Sequence, residues 1–293
     1  MLLSNSFAQQ RRVILLGLAG ALVLSALFVL PQGQALASAL VLFFRGQAIQ
    51  PIPTDYAHLQ NAYRTLEELE HLGTLRGTLP KQLTTVSSTA AAGAIAGFSV
   101  AQPATLPKGI SPKPSAIKAL APTQVTLTLS ASQANAYFKG MVSPQTVPAA
   151  YDGEQLIVGF PGVAVLEYAG RTADKLYVGQ AGQLVVNVAG SASVAELRAY
   201  LLTLPGLSRD TAAALQNISA WQTTIPLGIP ADRVGWTSTT VAGALGGSGV
   251  LLDDDSGIAS AVLWERGNHV QSLGVGGWGI KASEVQAVAS SLH

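Results

Sequence analysis

The sequence predicts an α+β protein: an N-terminal transmembrane helix followed by a mostly antiparallel β-sheet ectodomain with helices packed on one side. Three observations lead there. The run Val13–Leu30 (VILLGLAGALVLSALFVL) is apolar and carries no charge. The chain from about residue 125 onwards holds short alternating segments such as Val125–Leu129 (VTLTL), which is the period of a half-buried strand. A few capped helical patterns lie among these strands without regular β-α-β alternation, which favours an antiparallel sheet over a parallel one.

The elements follow in order. At a rise of ~1.5 Å per residue, a helix over Val13–Leu30 covers roughly the ~30 Å hydrocarbon core of a bilayer. Arg11 and Arg12 directly precede it, with no further Lys or Arg until Arg45, which orients the N-terminus inwards. The same stretch also reads as a cleavable export signal, since Ala35-Leu36-Ala37 offers a small-x-small cleavage site. The plan that results is a short cytoplasmic N-terminus (1–12), a transmembrane helix (13–31), a juxtamembrane interfacial segment (32–50), a membrane-proximal helix (51–75) and an α+β extracytoplasmic domain (76–293). Under either reading the bulk of the chain lies outside the cytoplasm.

Beyond the membrane, Gln50-Pro51-Ile52-Pro53 reads as a stiff extended spacer. Thr54 or Asp55 then caps a helix to about Leu72, with Leu59, Tyr63, Leu66 and Leu69 on one stripe and Gly73 as its stop. Thr74–Ala96 is small and polar and reads as a partly mobile stretch. Gly97–Gly109 contains too much proline for a central strand. Ser132–Phe138 suits a short helix, and Leu156–Tyr168 reads as a hairpin turning at Pro161-Gly162, followed by a strand over Gln183–Val188. Ser193 and Glu196 form a capping box for a helix that ends at Pro205-Gly206, and Ser208 opens a shorter helix through Ile218. Thr237–Ala242 and Gly249–Leu252 read as a strand pair. Ser260–Trp264 and His269–Leu273 form a hairpin around Arg266-Gly267-Asn268. A last helix, Ala282–Leu292, buries Val285, Val288, Ala289 and Leu292.

Several segments together resemble one family. GFSVAQPATLPKGI (Gly97–Ile110), SVAELRAYLLTLPGLS (Ser193–Ser208), and AVLWERGNHVQSLG with EVQAVASSL near the C-terminus are similar, in that order, to ectodomains of bacterial membrane-bound anti-sigma-factor-like proteins (the DUF4367 type). Val270 departs from the pattern, which has an aromatic residue there. Such regulators carry a cytoplasmic sigma-binding domain before the membrane. About a dozen residues precede Val13 here, too few to fold as one. The resemblance therefore implies the anchored, sensor-like half of such a protein, and by fold analogy a relation to half-barrels that hold lipid or lipoprotein.

Composition narrows the chemistry. There are no cysteines, which removes disulfides, thiolate metal sites and cysteine nucleophiles. A net charge of +1 with 11% charged residues offers no basic face for nucleic acid. His58, His71, His269 and His293 lack metal-ligand spacing, and no metal site is expected. Asp253-Asp254-Asp255 lacks the distal glutamate of a calcium loop and reads as a solvated turn. Gly274, Gly276 and Gly279 match GxGxxG, but the chain gives about fourteen residues after them, with no room for the second strand of a dinucleotide site. They read as a tight turn, and no cofactor is expected. Gly247-Ser248-Gly249 lacks the spacing of a nucleophile elbow. Trp221, Trp236, Trp264 and Trp278 read first as core, and alternatively as the lining of an apolar groove under the sheet.

The expectation is a non-enzymatic, single-pass membrane-anchored interaction or sensor module. It touches membrane lipid through its N-terminal helix, binds an envelope or membrane protein, and serves as an accessory subunit of an envelope assembly. The alternative is a lipid or lipoprotein carrier with an apolar cavity under the sheet. An envelope hydrolase using Ser248 and His269 is the third reading.

Overall fold

The computed structural model describes residues 48–54, 69–77, 83–140, 146–170, 174–183, 185–201, 224–230, 234–254, 259–266 and 272–293. The expected transmembrane helix, the interfacial segment up to residue 47, and the helix over Ser208–Ile218 lie outside these residues. Among the described residues, no helix is long and apolar enough to cross a membrane.

The architecture is mostly antiparallel β-sheet with a few helices. The strands are β1 (Ala48–Thr54), β2 (Gly73–Gly77), β3 (Thr84–Val86), β4 (Ala116–Leu120), β5 (Thr123–Leu129), β6 (Gln155–Phe160), β7 (Val163–Ala169), β8 (Lys175–Ala181), β9 (Val185–Ala189), β10 (Thr224–Pro230), β11 (Val234–Val241), β12 (Gly247–Asp254), β13 (Ala259–Glu265) and β14 (Ser272–Trp278). The helices are α1 (Thr89–Ala96), α2 (Ala131–Lys139), α3 (Val194–Leu201) and α4 (Ala282–Ser290). An eight-stranded sheet runs β11-β12-β13-β14-β8-β7-β4-β3, a four-stranded sheet runs β2-β5-β6-β9, and β1 pairs with β10 in parallel.

One ribbon links the two larger sheets. Leu120 pairs with Val163 and Thr123 with Phe160, so the β4–β7 ladder continues into β5–β6 without a slip. Val163 pairs with Ala181 and Gly159 with Val185, so β7–β8 continues into β6–β9 in the same way. Three long strands therefore bend together, at Ala121-Pro122, Pro161-Gly162 and Gly182. The expected hairpin at Pro161-Gly162 is thus corrected to a bend: β6 and β7 lie in different sheets and do not pair. Two-residue hairpin turns of the favoured types need a positive φ at their first central residue, which proline cannot adopt. Gly162 is required for a different reason. A Cβ there would come within 1.9 Å of the Ala96 carbonyl oxygen, because the end of α1 nests in the bend.

The helix-covered face of the large sheet holds the main core. Leu166, Leu176, Val178, Val262, Trp264, Leu273 and Val275 point to this face and meet Val285, Val288, Ala289 and Leu292 from α4 and its end. α1 covers the same face nearer β3, through Ala92, Ala96, Ala119 and Ala164. α1 and α4 therefore share one side of the large sheet, whereas α2 packs against the turn Leu69–Leu72 and β2. The segment after α1 crosses this face with only isolated bridges, Pro103 to Leu292 and Ile110 to Gly170, as its prolines allow, and Gln180 helps to tie it down. The Gln180 amide donates to the Ala101 carbonyl (2.7 Å) and accepts from the Ala101 N–H (2.8 Å). On the opposite face, Val250, Leu252, Ala261 and Leu263 pack with Ile229 and Val234, and β1 lies against β12 and β13. β13 is buried at every position, and β14, β7 and β8 nearly so.

The N-terminal part departs most from expectation. Gln50–Pro53 is extended, as prolines dictate, yet it belongs to β1 and pairs with β10 rather than acting as a free spacer. A two-stranded pair leaves each strand one open edge where a missing N–H is tolerated. The membrane-proximal helix expected over 51–75 is strand at 51–54, lies outside the described residues over 55–68, and ends in a single 3-10 turn (Leu69–Leu72) before β2. Thr74–Ala96, expected to be partly mobile, supplies β2, β3 and α1. α1 is started by the Ser88 hydroxyl accepting from the Ala91 N–H and stopped by Gly97 at φ 81°. β5 alternates buried and partly exposed positions, β11 pairs with β12, and β13 pairs with β14, although β14 spans Ser272–Trp278 rather than the expected His269–Leu273, whose first three residues lie outside the described residues.

Replacing Gln180 by Leu tests the strap. Two buried backbone groups lose their partner, so the variant should lose about 2–4 kcal/mol of stability in urea unfolding; an unchanged midpoint would show that Ala101 is held by something else.

Candidate functional site

The tryptophans do not converge. Trp264 is 0% exposed on the helix-covered face, and its indole N–H donates to the Leu245 carbonyl at 2.7 Å. Trp236 sits on the edge strand β11 opposite Leu252, hence on the other face, and is 40% exposed. Trp278 ends β14 opposite Ala259, also on that face, and is half-buried. Trp221 lies outside the described residues. The space between the sheet and α4 is filled by side chains that include Trp264, Val275 and Val285, each fully buried.

The remaining candidates have local explanations. His71 stacks on Tyr137 at 4.5 Å, and His293 is exposed at the C-terminus. His58 and His269 lie outside the described residues, as do Asp255 and Gly257. Asp253 and Asp254 belong to β12 rather than to a turn. Gly274 and Gly276 lie within β14, not in the expected tight turn, and Gly279 alone takes a left-handed conformation, at φ 70°. Ser248 is an exposed strand residue. Among the described residues, no group of three or more His, Cys, Asp or Glu could hold a metal ion.

Two buried carboxylates stand out that the sequence reading passed over. Glu265, 5% exposed, ends β13 and accepts from the Ser272 hydroxyl on β14 at 2.6 Å. Burial pushes its pKa up to about 7, against the partial relief of that hydrogen bond. A signal was present: Glu265 shares one face of its strand with Ala259, Ala261 and Leu263, all apolar. Glu154, 4% exposed, precedes β6 and accepts from both the N–H (2.7 Å) and the hydroxyl (2.8 Å) of Ser191. Those hydrogen bonds hold its pKa below the usual carboxylate range. It thereby fixes the turn into α3. There the Ser193 hydroxyl accepts from the Glu196 N–H (3.2 Å) while the Glu196 carboxylate accepts from the Ser193 N–H (2.7 Å), the reciprocal cap read from the sequence. Glu284 likewise accepts from the Lys281 N–H at the start of α4.

One open cleft of about 550 Å³ lies beside α1, lined by Thr89, Ala90, Gly93, Phe98, Ser99 and Val100 among others. Its walls are small side chains, two hydroxyls and one ring, with no titratable group. The cleft can accommodate a side chain or short segment, but it holds no acid or base. Compared with known proteins, the chain matches no family model, no curated protein and no solved structure.

Glu265 sets a pH dependence with a definite sign. A folded-state pKa near 7 against an ordinary value of 4.5 means folding takes up a proton between those values. Its contribution is complete below about pH 4.5 and is lost as pH rises through 7. At 1.36 kcal/mol per pKa unit the loss is on the order of 3 kcal/mol. Glu265→Gln keeps an acceptor for Ser272 and should be more stable than wild type at pH 8, with little difference at pH 4.5. Thermal melts at both pH values check this, and a variant destabilised at pH 8 would contradict it.

Proposed function

We propose that this chain is a single-pass membrane-anchored module whose α+β ectodomain lies outside the cytoplasm and acts by interaction or sensing rather than by catalysis, as an accessory subunit of an envelope assembly. The observation that carries the reading is the uncharged run Val13–Leu30 behind Arg11 and Arg12. An uncharged apolar helix of that length is satisfied by lipid, and the flanking arginines stay on the inner side. The ordered similarity of Gly97–Ile110, Ser193–Ser208 and the C-terminal hairpin and helix to anti-sigma-factor-like ectodomains supports the same reading.

The placement of the carboxylates fits an interaction role. Glu154, Glu196 and Glu284 each cap or fasten backbone N–H groups, and Glu265 is bonded to Ser272. Each has a structural task at its site. The lipid-carrier alternative draws no support from the helix-covered face, where fully buried Trp264, Leu273 and Val275 occupy the interior.

Topology is the direct test. In intact cells whose outer layers have been made permeable, added protease should degrade the region after residue 46 while an N-terminal tag stays protected. Survival of that region until the inner membrane is lysed would overturn the reading.

A further inference from the structure

Among the described residues, β11 is the outer strand of the eight-stranded sheet. Its sequence, VGWTSTTV, contains no charge and no proline, and its pairing with β12 runs from Val234–Asp254 to Val241–Gly247 with no bulge. Gly235, Trp236, Thr237, Ser238 and Thr240 are exposed, while Val234 and Val241 at the two ends are buried and Thr239 accepts from the Gln286 side chain of α4 at 2.9 Å, so the middle of the strand is open and its ends are anchored. Trp236 is the large apolar side chain most open to solvent among the described residues. Proteins ordinarily blunt such an edge with lysine, proline, a bulge or a short strand, because its free N–H and C=O groups template another strand. None of these devices is present on β11. β3, at the other edge, is only three residues long.

We infer that β11 is a pairing edge, and that its occupant is β11 of a second copy of this chain, added antiparallel so that the two sheets become continuous. The strand is its own complement. An antiparallel copy meets no like charge along its length, and a two-fold axis perpendicular to the sheet keeps each face aligned with the same face of the other copy. With that axis at Ser238, Trp236 stands opposite Thr240 of the second copy, an aromatic–β-branched pair of the kind that stabilises neighbouring strands. With the axis at Thr237 it stands opposite Ser238 instead. Either register keeps Trp236 beside a hydroxyl-bearing residue and closes the symmetric pair, leaving no free β11 edge.

The absence of cysteine makes the test clean. Ser238→Cys and Thr237→Cys are introduced singly into the full chain in mild detergent and exposed to a weak oxidant. Thr85→Cys on β3 serves as the control for random collision. A symmetric edge should convert at least one of the β11 variants into a disulfide-linked dimer at least tenfold faster than the control. Ser238→Lys, which places two like charges at or near the axis, should halve the particle mass measured by light scattering after the detergent is subtracted. Two outcomes would overturn the proposal: cross-linking no faster than the control at both positions, or a defined complex with a different protein that blocks both cysteines.

Discussion

Burial of adjacent strands on both faces is the constraint on which the rest of this molecule depends. β13 is covered at every position, and β14, β8 and β7 at nearly every one. An antiparallel sheet ordinarily leaves one face to water. Here two covers are needed. The first is built from α1, α4 and the proline-rich segment strapped by Gln180. The second, over β12 and β13, is the β1–β10 pair with Ile229 at its core.

The bent ribbon follows from the same demand. Carrying three strands past Pro122, Pro161 and Gly182 lets one continuous ladder serve two sheets, with the end of α1 seated where Gly162 has no side chain. The carboxylates complete the construction locally: Glu154 and Glu196 fix the entry to α3, and Glu284 the entry to α4. Glu265 is the exception, since a carboxyl buried against one hydroxyl makes the fold more stable when protonated. Among the described residues, the space between the large sheet and α4 is filled by side chains, and an open cleft lies beside α1.

Local signals were legible in the sequence because they are local. The Ser193–Glu196 cap, the alternation in β5, the β13–β14 hairpin and the buried face of α4 each rest on spacing within a dozen or so residues. Partnership was not legible. Gln50–Pro53 reads as extended from its prolines, but nothing in it announces β10, which lies far along the chain. Pro161-Gly162 has the composition of a turn, and only the lack of positive φ and the approach of Ala96 distinguish a bend from one. Gly274 and Gly276 look like turn residues because glycine reports conformational freedom, whereas their place in β14 is set by neighbours on both sides. The tryptophans show the same limit: their count is plain, but Trp264 and Trp236 fall on opposite faces because β13 and β11 present different residue parities.

The double cover is the central claim, and native-state hydrogen exchange addresses it directly. The slowest amides should cluster in Leu176–Val178, Val262–Trp264 and Leu273–Val275, exchanging only through global unfolding, with β5 and β6 opening at lower free energy. If those central amides exchanged as fast as the four-stranded sheet, two-sided burial would not be what holds this fold together.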